Sequence, residues 1–274
     1  MTILFFGDVV GKIGRKAIKK VLPKLKKEYQ PDLIMANVEN LAHGKGVTEK
    51  TLQEMLKAGI DVFTSGNHIA KKSEYGKILE NEKYPLVRPA NYPPAVPGRE
   101  YLKTKYKTQL TKRGNKDKDI YVINLLGRVF FQDDFDCPFR KFDELEKLLK
   151  WGKSDIIIVD FHAEATSEKN AFGWYVDGRA SCVLGTHTHV PTADEKILPG
   201  GTGYITDVGM VGAADSVIGV KKERVIEQFL TQINQSHELA EKGEVSVNAV
   251  LVEIDEKTGK CTGIKRVCLS TLVS

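Results

Sequence analysis

Residue types suited to metal chemistry recur in five short clusters. They are Gly7-Asp8, Asn37-Val38-Glu39-Asn40, Gly66-Asn67-His68, Asp160-Phe161-His162 and Gly185-Thr186-His187-Thr188-His189. Four of the six histidines fall inside these clusters; His43 and His237 lie outside, and His43 follows closely on Asn40. Carboxylates and imidazoles suit divalent transition metals such as manganese, iron or zinc. A His-x-His spacing lets His187 and His189 serve one cation or two adjacent ones. Asp8 and Glu39 are the anionic candidates, and one carboxylate can bridge cations roughly 3.5–4 Å apart. Asn40 and Asn67 can add neutral oxygens. Two divalent cations, two carboxylates and one hydroxide leave a formal surplus of about one positive charge, which suits a phosphate ester.

Each residue alone has a plainer reading. Asp8 could cap the helix that starts near Ile13, His162 could be a hydrogen-bonded structural residue, and Asn67 could be a turn residue in left-handed geometry. His187-x-His189 by itself is weak evidence for a metal. The joint pattern carries the metal reading, because all five clusters follow predicted strands and ligands bind at strand ends in open α/β sheets. The glycines of residues 7–14 fit neither G-x-G-x-x-G nor the phosphate-binding loop, and Asp8 would set a negative charge beside a pyrophosphate.

The elements that must position these clusters follow from hydropathy. Residues 2–6, 32–36 and 61–64 read as strands. Residues 13–29 read as a helix, with Ile13, Ala17, Ile18, Val21 and Leu25 at helical spacing. Pro23 should kink or split it. Residues 48–58 read as a second helix, capped by Thr48. The β-α-β-α-β order predicts a mostly parallel sheet with helices packed on it. Pro85, Pro89, Pro93, Pro94 and Pro97 make residues 85–97 a long ordered loop or an edge crossing. Residues 101–109 and 120–125 read as strands separated by a charged turn over 112–118, and residues 139–151 as a helix. Short strands are expected over 155–159, 182–184 and 204–206, and a helix over 221–233. Residues 245–254 and 262–272 read as an antiparallel pair around the turn 256–259. With no repeat and no low-complexity linker, residues 1–274 are expected to form one domain.

The composition, 41% hydrophobic and 28% charged, provides a core of normal size and shows no disorder signature. The net charge of +5 fits an anionic substrate. Aromatic residues make up 8% without basic-aromatic interleaving, so polymeric nucleic acid is not an expected partner. The four cysteines form no C-x-x-C pair. No apolar run is long enough for a bilayer and none reads as a secretory signal. A cytoplasmic protein with reduced thiols is expected; no membrane partner is expected, and a homo-oligomer stays open.

These clusters are joined by Arg88-Pro89-Ala90-Asn91-Tyr92-Pro93-Pro94, residues 160–167, Leu198-Pro199-Gly200-Gly201-Thr202 and Ile205-Thr206-Asp207-Val208-Gly209-Met210. Together they resemble the calcineurin-like metallophosphoesterase superfamily and, more narrowly, its bacterial YmdB-type branch. The resemblance spans most of the chain. It implies an α/β fold of four layers, two mixed sheets flanked by helices. It also implies a dinuclear site of two divalent metals, iron or manganese first, with zinc or magnesium as alternatives. Carried over by position, Asp8, Asn40 and His189 would serve one metal, Asn67, His162 and His187 the other, and Glu39 would bridge. His68 resembles the family's catalytic histidine, which stabilises the transition state or protonates the leaving oxygen. The implied activity is hydrolysis of 2′,3′- or 3′,5′-cyclic nucleotides by in-line attack of metal-bound hydroxide on phosphorus. The alternatives are a phosphomonoesterase or nucleotidase on the same site, and a regulatory scaffold with a non-catalytic metal site.

The chain also departs from the pattern. The usual Asp-x-His of the superfamily is Asp8-Val9-Val10 here, as in the YmdB branch. Ile69-Ala70-Lys71-Lys72 stands where relatives tend to carry an aromatic and an acid, and His43 and Lys45 sit in a loop usually richer in small residues. These changes flank the predicted site and bear on substrate preference without removing a ligand.

Overall fold

Alternate residues of the first strand enter different apolar layers. Ile3 and Phe5 join one buried cluster, Leu4 and Phe6 another. A strand buried on both faces belongs in the middle of a layered fold. The structure, a computed structural model, describes residues 1–106 and 118–274.

Strand β1 (Thr2–Phe6) leads through the two-residue β2 (Asp8–Val9) into helix α1 (Gly11–Tyr29). Then come β3 (Leu33–Asn37), α2 (Glu49–Ala58), β4 (Val62–Thr64) and α3 (Tyr75–Glu80). Strands β1, β3 and β4 pair in parallel, as the alternating pattern predicts.

The second sheet comes next in the chain. It comprises β5 (Tyr101–Tyr106), β6 (Lys118–Leu126), α4 (Pro138–Leu149), β7 (Ile156–His162), α5 (Thr166–Tyr175), β8 (Cys182–Thr186), β9 (Lys196–Ile197) and β10 (Gly203–Ile205). Its order is β5-β6-β7-β8-β10-β9, with a parallel centre and antiparallel edges. The chain then returns to the first sheet through β11 (Met210–Ala213), α6 (Lys222–Thr231) and the long hairpin β12 (Gly243–Ile254) and β13 (Cys261–Val273). Strand β13 runs along one edge of β12, while β11 and β1 lie end to end along the other.

Three apolar clusters separate four layers. Ile13, Ala17, Leu52 and Met55 of α1 and α2 pack on Leu4, Phe6 and Ile34. Ile3, Phe5 and Met35 of the first sheet face Val122, Ile158 and Leu184 of the second. Phe142, Leu145 and Phe172 of α4 and α5 cover Tyr121, Val159 and Phe161. The fold is therefore two mixed sheets, back to back, flanked by helices.

Several local expectations change. Helix α1 begins at Gly11 and passes Pro23 unbroken. Pro23 lies on the exposed face, and burial of Ile13, Ala17, Ile18, Leu22 and Leu25 outweighs an interior-proline cost of about 3 kcal/mol. Asp8 does not cap this helix; the N-cap is Val10, without a side-chain bond. Thr48 does cap α2, in a reciprocal box with Thr51. The proline-rich segment spans the sheets, bridging Leu86 to Phe63 on one side and Pro89 to Asn124 on the other. His162 lies inside β7 rather than after it. Of the expected strand 101–109, β5 covers Tyr101–Tyr106; its remainder and residues 112–117 of the expected turn lie outside the described residues, and Lys118 belongs to β6. Helices α3 and α5 and strands β2, β9 and β11 are additions to the expected set. Among the described residues, no helix is long and apolar enough to cross a membrane.

The packing makes a prediction about thiol reactivity. Cys182 and Cys261 are buried between the sheets, and burial pushes both thiols up, that of Cys261 to about 11. The thiolate is the reactive form. A disulfide reagent at roughly pH 8 should label exposed Cys268 quickly and leave Cys182 and Cys261 unlabelled until the protein is unfolded. Fast labelling of all the cysteines in the native protein would contradict this packing.

Candidate metal centre

One buried carboxylate joins the sheets beneath the site. Asp160 on β7 accepts hydrogen bonds from Asn37 Nδ2 at 2.9 Å and from the Thr64 hydroxyl, both in the first sheet. Its other oxygen accepts from Thr186 Oγ1 of β8 at 2.6 Å. Burial pushes its carboxyl up to about 6. Asp160 belonged to a noted cluster, but nothing in its spacing marked it as the tie between sheets.

This tie orients His162. The Thr186 hydroxyl donates to Asp160, so it accepts from His162 Nδ1 at 2.8 Å. The Nε2 atom then faces Glu39 Oε2 at 3.3 Å, Asn67 Oδ1 at 3.2 Å and His187 Nδ1 at 3.0 Å. His187 Nε2 lies 3.0 Å from Glu164 Oε2, so the ring donates there and turns Nδ1 inward. Two imidazole lone pairs this close require positive charge beside them, whether a proton or a cation. Glu39, His162 and His187 present ligand atoms that all lie within 4.8 Å of one another.

The remaining candidates adjoin this trio. Asp8 is fully buried; Oδ2 accepts from the His187 amide at 3.0 Å, while Oδ1 has no hydrogen-bond partner. That Oδ1 lies 3.9 Å from His162 Nδ1 and 4.0 Å from His189 Nε2. His189 Nδ1 meets the Ile218 carbonyl at 2.8 Å, which turns Nε2 toward Asp8. Asn40 Oδ1 is also buried and unpartnered, while its Nδ2 donates to the Gly44 carbonyl at 2.9 Å and lies 3.3 Å from His68 Nδ1. The His68 amide donates to Glu39 Oε2 at 3.0 Å. Asp8, Glu39, Asn40, Asn67, His162, His187, His189 and His68 thus form one connected set.

The set fits divalent cations. A buried acceptor without a partner costs about 1–3 kcal/mol, so Asp8 Oδ1 and Asn40 Oδ1 call for a counterpart. A Cβ at Gly66 would collide with Glu39 Oε2 and His162 Nε2, so glycine alone leaves that space open. The titration pattern also asks for positive charge. Burial raises Asp8. Burial also opposes charge on Glu39, yet His162 and His68 hold its carboxyl well below the usual range. Burial disfavours charge on His162, but the Glu39 carboxylate outweighs it and lifts His162 to about 9. Burial and the charged His162 lower His187 to about 3. Carboxylate, imidazole and amide oxygen form a donor set suited to transition metals.

The backbone under the histidine pair is strained. His187 has φ 102° and His189 has φ 66°, in the left-handed region. Such positions cost about 1–3 kcal/mol each in non-glycine residues. Asp207 helps to hold this loop, accepting from the Thr188 amide at 3.1 Å. Buried Lys169 clamps Asp207 at 2.6 Å and the Thr186 carbonyl at 2.8 Å. Asp207 and Glu164 lie in stretches that carry the family resemblance but have no expected role there, and Lys169 lies outside them. Beyond His187 lies an aromatic wall: Phe131 is 4.9 Å from its ring, Phe135 is 5.8 Å from Phe131, and Tyr92 is 5.3 Å from Phe135.

Comparison with known proteins follows the same line. A family model described as YmdB-like protein matches residues 4–267. The chain is 45% identical over 273 residues to a 2′,3′-cyclic-nucleotide 2′-phosphodiesterase of Bacillus subtilis (strain 168), covering 98% of this chain and 97% of that protein. The crystal structure of a novel phosphatase from Mycoplasma pneumoniae matches with a TM-score of 0.88 and 37% identity, over 98% of this chain and 93% of that one. That of a hypothetical protein from Thermus thermophilus matches with a TM-score of 0.87 and 38% identity, over 98% and 99%.

Removing the tie between the sheets should be costly. Asp160→Ala leaves Asn37 Nδ2 and the Thr64 and Thr186 hydroxyls without their acceptor, and should destabilise the protein by about 2–4 kcal/mol. Urea denaturation reads this directly. An unchanged midpoint would show that Asp160 does not join the sheets.

Proposed function

Because this chain belongs to the YmdB-like protein family, we propose that it is a metal-dependent phosphodiesterase that hydrolyses nucleoside 2′,3′-cyclic phosphates at a pair of divalent cations. The observation that carries the reading is the pair of buried, unpartnered oxygens, Asp8 Oδ1 and Asn40 Oδ1, beside inward-facing imidazoles. The names of the relatives support a phosphodiesterase or phosphatase, and that of the Bacillus subtilis relative supports a 2′,3′-cyclic substrate.

In this reading Asn67, His162 and His187 would hold one cation and Asp8, Asn40 and His189 the other, with Glu39 as the carboxylate available to either. Iron or manganese suits these donors. Bound there, the cations supply Lewis-acid charge to the phosphoryl oxygens and lower the pKa of water toward neutrality. The chain's own residues supply the rest. His68 Nδ1 is engaged with Asn40 and Glu39, at 3.3 Å each, which leaves Nε2 for the substrate. There it protonates the departing 2′ oxygen as the phosphorus–oxygen bond breaks, leaving a 3′-phosphate. Tyr92, Phe131 and Phe135 offer aromatic faces beside His187, where a nucleobase can stack. This wall favours a phosphate ester that carries a nucleobase over one without a base.

Two tests follow. Chelation should abolish hydrolysis of adenosine 2′,3′-cyclic phosphate, and manganese should restore it. A chelated enzyme at full rate would remove the metal from the mechanism. Bis-p-nitrophenyl phosphate should also be cleaved faster than the monoester; the reverse would favour a phosphomonoesterase. His68→Ala should lower kcat by about 10²–10⁴-fold while metal content per chain, by elemental analysis, stays unchanged. Full turnover in that variant with metal bound would show that His68 is not the acid.

A further inference from the structure

The candidate centre opens into a cavity of about 810 Å³, within the range of small-molecule sites. Asn40, His68 and His189 of the centre line it, and so do Lys45, Lys71 and Lys72. Among the described residues, no carboxylate lines this cavity. The lysines come from two segments that flank the site in sequence. Lys45 follows Asn40 in its loop, and Lys71 and Lys72 follow His68 across the short helical turn Ile69–Lys71.

Charge arithmetic makes these lysines surplus to a cyclic phosphate. A cyclic phosphodiester carries one negative charge, and two divalent cations with two carboxylates and a hydroxide already match it with a surplus of about one positive charge. Three further ammonium groups in a cavity without acids exceed that need. An ammonium group is a compact point charge that binds phosphate readily.

The placement suits ribose chemistry. The base leaves the ribose at C1′ and the 5′ substituent leaves beyond C4′, on opposite flanks of the 2′,3′ edge. Here the aromatic wall lies beside His187, and the lysine-lined cavity lies beside His68 and His189. We propose that this cavity is a subsite for a second phosphate of the same substrate, the 5′-phosphate or 5′-phosphodiester of a nucleotide whose 2′,3′-cyclic phosphate is hydrolysed at the centre. The proposal rests on the phosphodiesterase reading above.

The test compares kcat/KM for three substrates: adenosine 2′,3′-cyclic phosphate, its 5′-phosphorylated counterpart, and a diadenosine dinucleotide ending in a 2′,3′-cyclic phosphate. A second phosphate should raise kcat/KM about tenfold at low salt, as expected for several partly exposed charge contacts, and the gain should shrink as salt is added. Replacing all three lysines (Lys45→Gln, Lys71→Gln and Lys72→Gln) should bring the ratio between substrates close to one, and the matching arginine variant should keep it. A gain on the 5′-phosphorylated mononucleotide supports recognition of a terminal phosphate. A gain on the dinucleotide alone supports recognition of an internal phosphodiester. Equal rates on all three substrates overturn the subsite and leave the phosphodiesterase reading standing. A gain that survives the glutamine substitutions also overturns it. Failure to hydrolyse any of the three overturns the phosphodiesterase reading, and the subsite with it.

Discussion

The Asp160 carboxylate joins two sheets whose facing sides are mostly apolar. It collects donors from β3, β4 and β8 in a region closed to water. An ionised or polar group buried this deeply is tolerable only when its partners are held in place. The requirement works in both directions: the donors fix the carboxylate, and the carboxylate fixes the relative position of the strands that carry them. His162 is set by Thr186, and Asn37 accepts the Glu39 amide at 3.1 Å while donating to Asp160. The metal-binding candidates are thus mounted on a cross-sheet hydrogen-bond network, and the apolar layers on either side keep water from competing with it.

Above that network, negative charge accumulates without full internal compensation. Asp8, Glu39 and Asp160 are all buried, and Lys169 is committed to Asp207. His162 becomes the site of positive charge because Glu39 lies at 3.3 Å and outweighs burial, and burial together with that charge keeps His187 neutral. Neighbouring imidazoles with opposite tendencies behave as one coupled unit. A divalent cation can take over the role of the shared proton there, and neutral imidazole is the form that ligates metal.

The layered fold was legible where it depended on local pattern. Ile3 to Phe6 alternate between two apolar clusters, and the hairpin around residues 256–259 pairs β12 with β13 antiparallel, with one register shift between Glu253 and Ile254. The ligand-type side chains were legible because unusual residues stand at strand ends. What remained hidden depends on distant partners. Strand β2 has two residues and exists by pairing with β11, about two hundred positions away. Helix α5 lacks a clean apolar stripe; Phe172 is buried beside the polar Glu168 and Lys169, while Trp174 is exposed. Its buried charges pair with groups from other elements, Lys169 with Asp207 and Glu168 with the amides of Arg128 and Val129. Asn37 and Asp160 are 123 residues apart, so their contact leaves no mark in local spacing. Pro23 does not split the helix for a related reason: residue preference favours a break, and tertiary burial of one helix face keeps a single helix.

The left-handed backbone at His187 and His189 bears on how such a centre could be rebuilt elsewhere. Histidine occupies that region uncommonly, and a relaxed loop carrying the same His-x-His letters would aim its rings differently. A designer who grafts only the histidine side chains onto a new scaffold would therefore import the vocabulary without the grammar. The transferable module is larger: the bent segment together with the amide anchors that Asp8 and Asp207 supply, and the lysine beneath them.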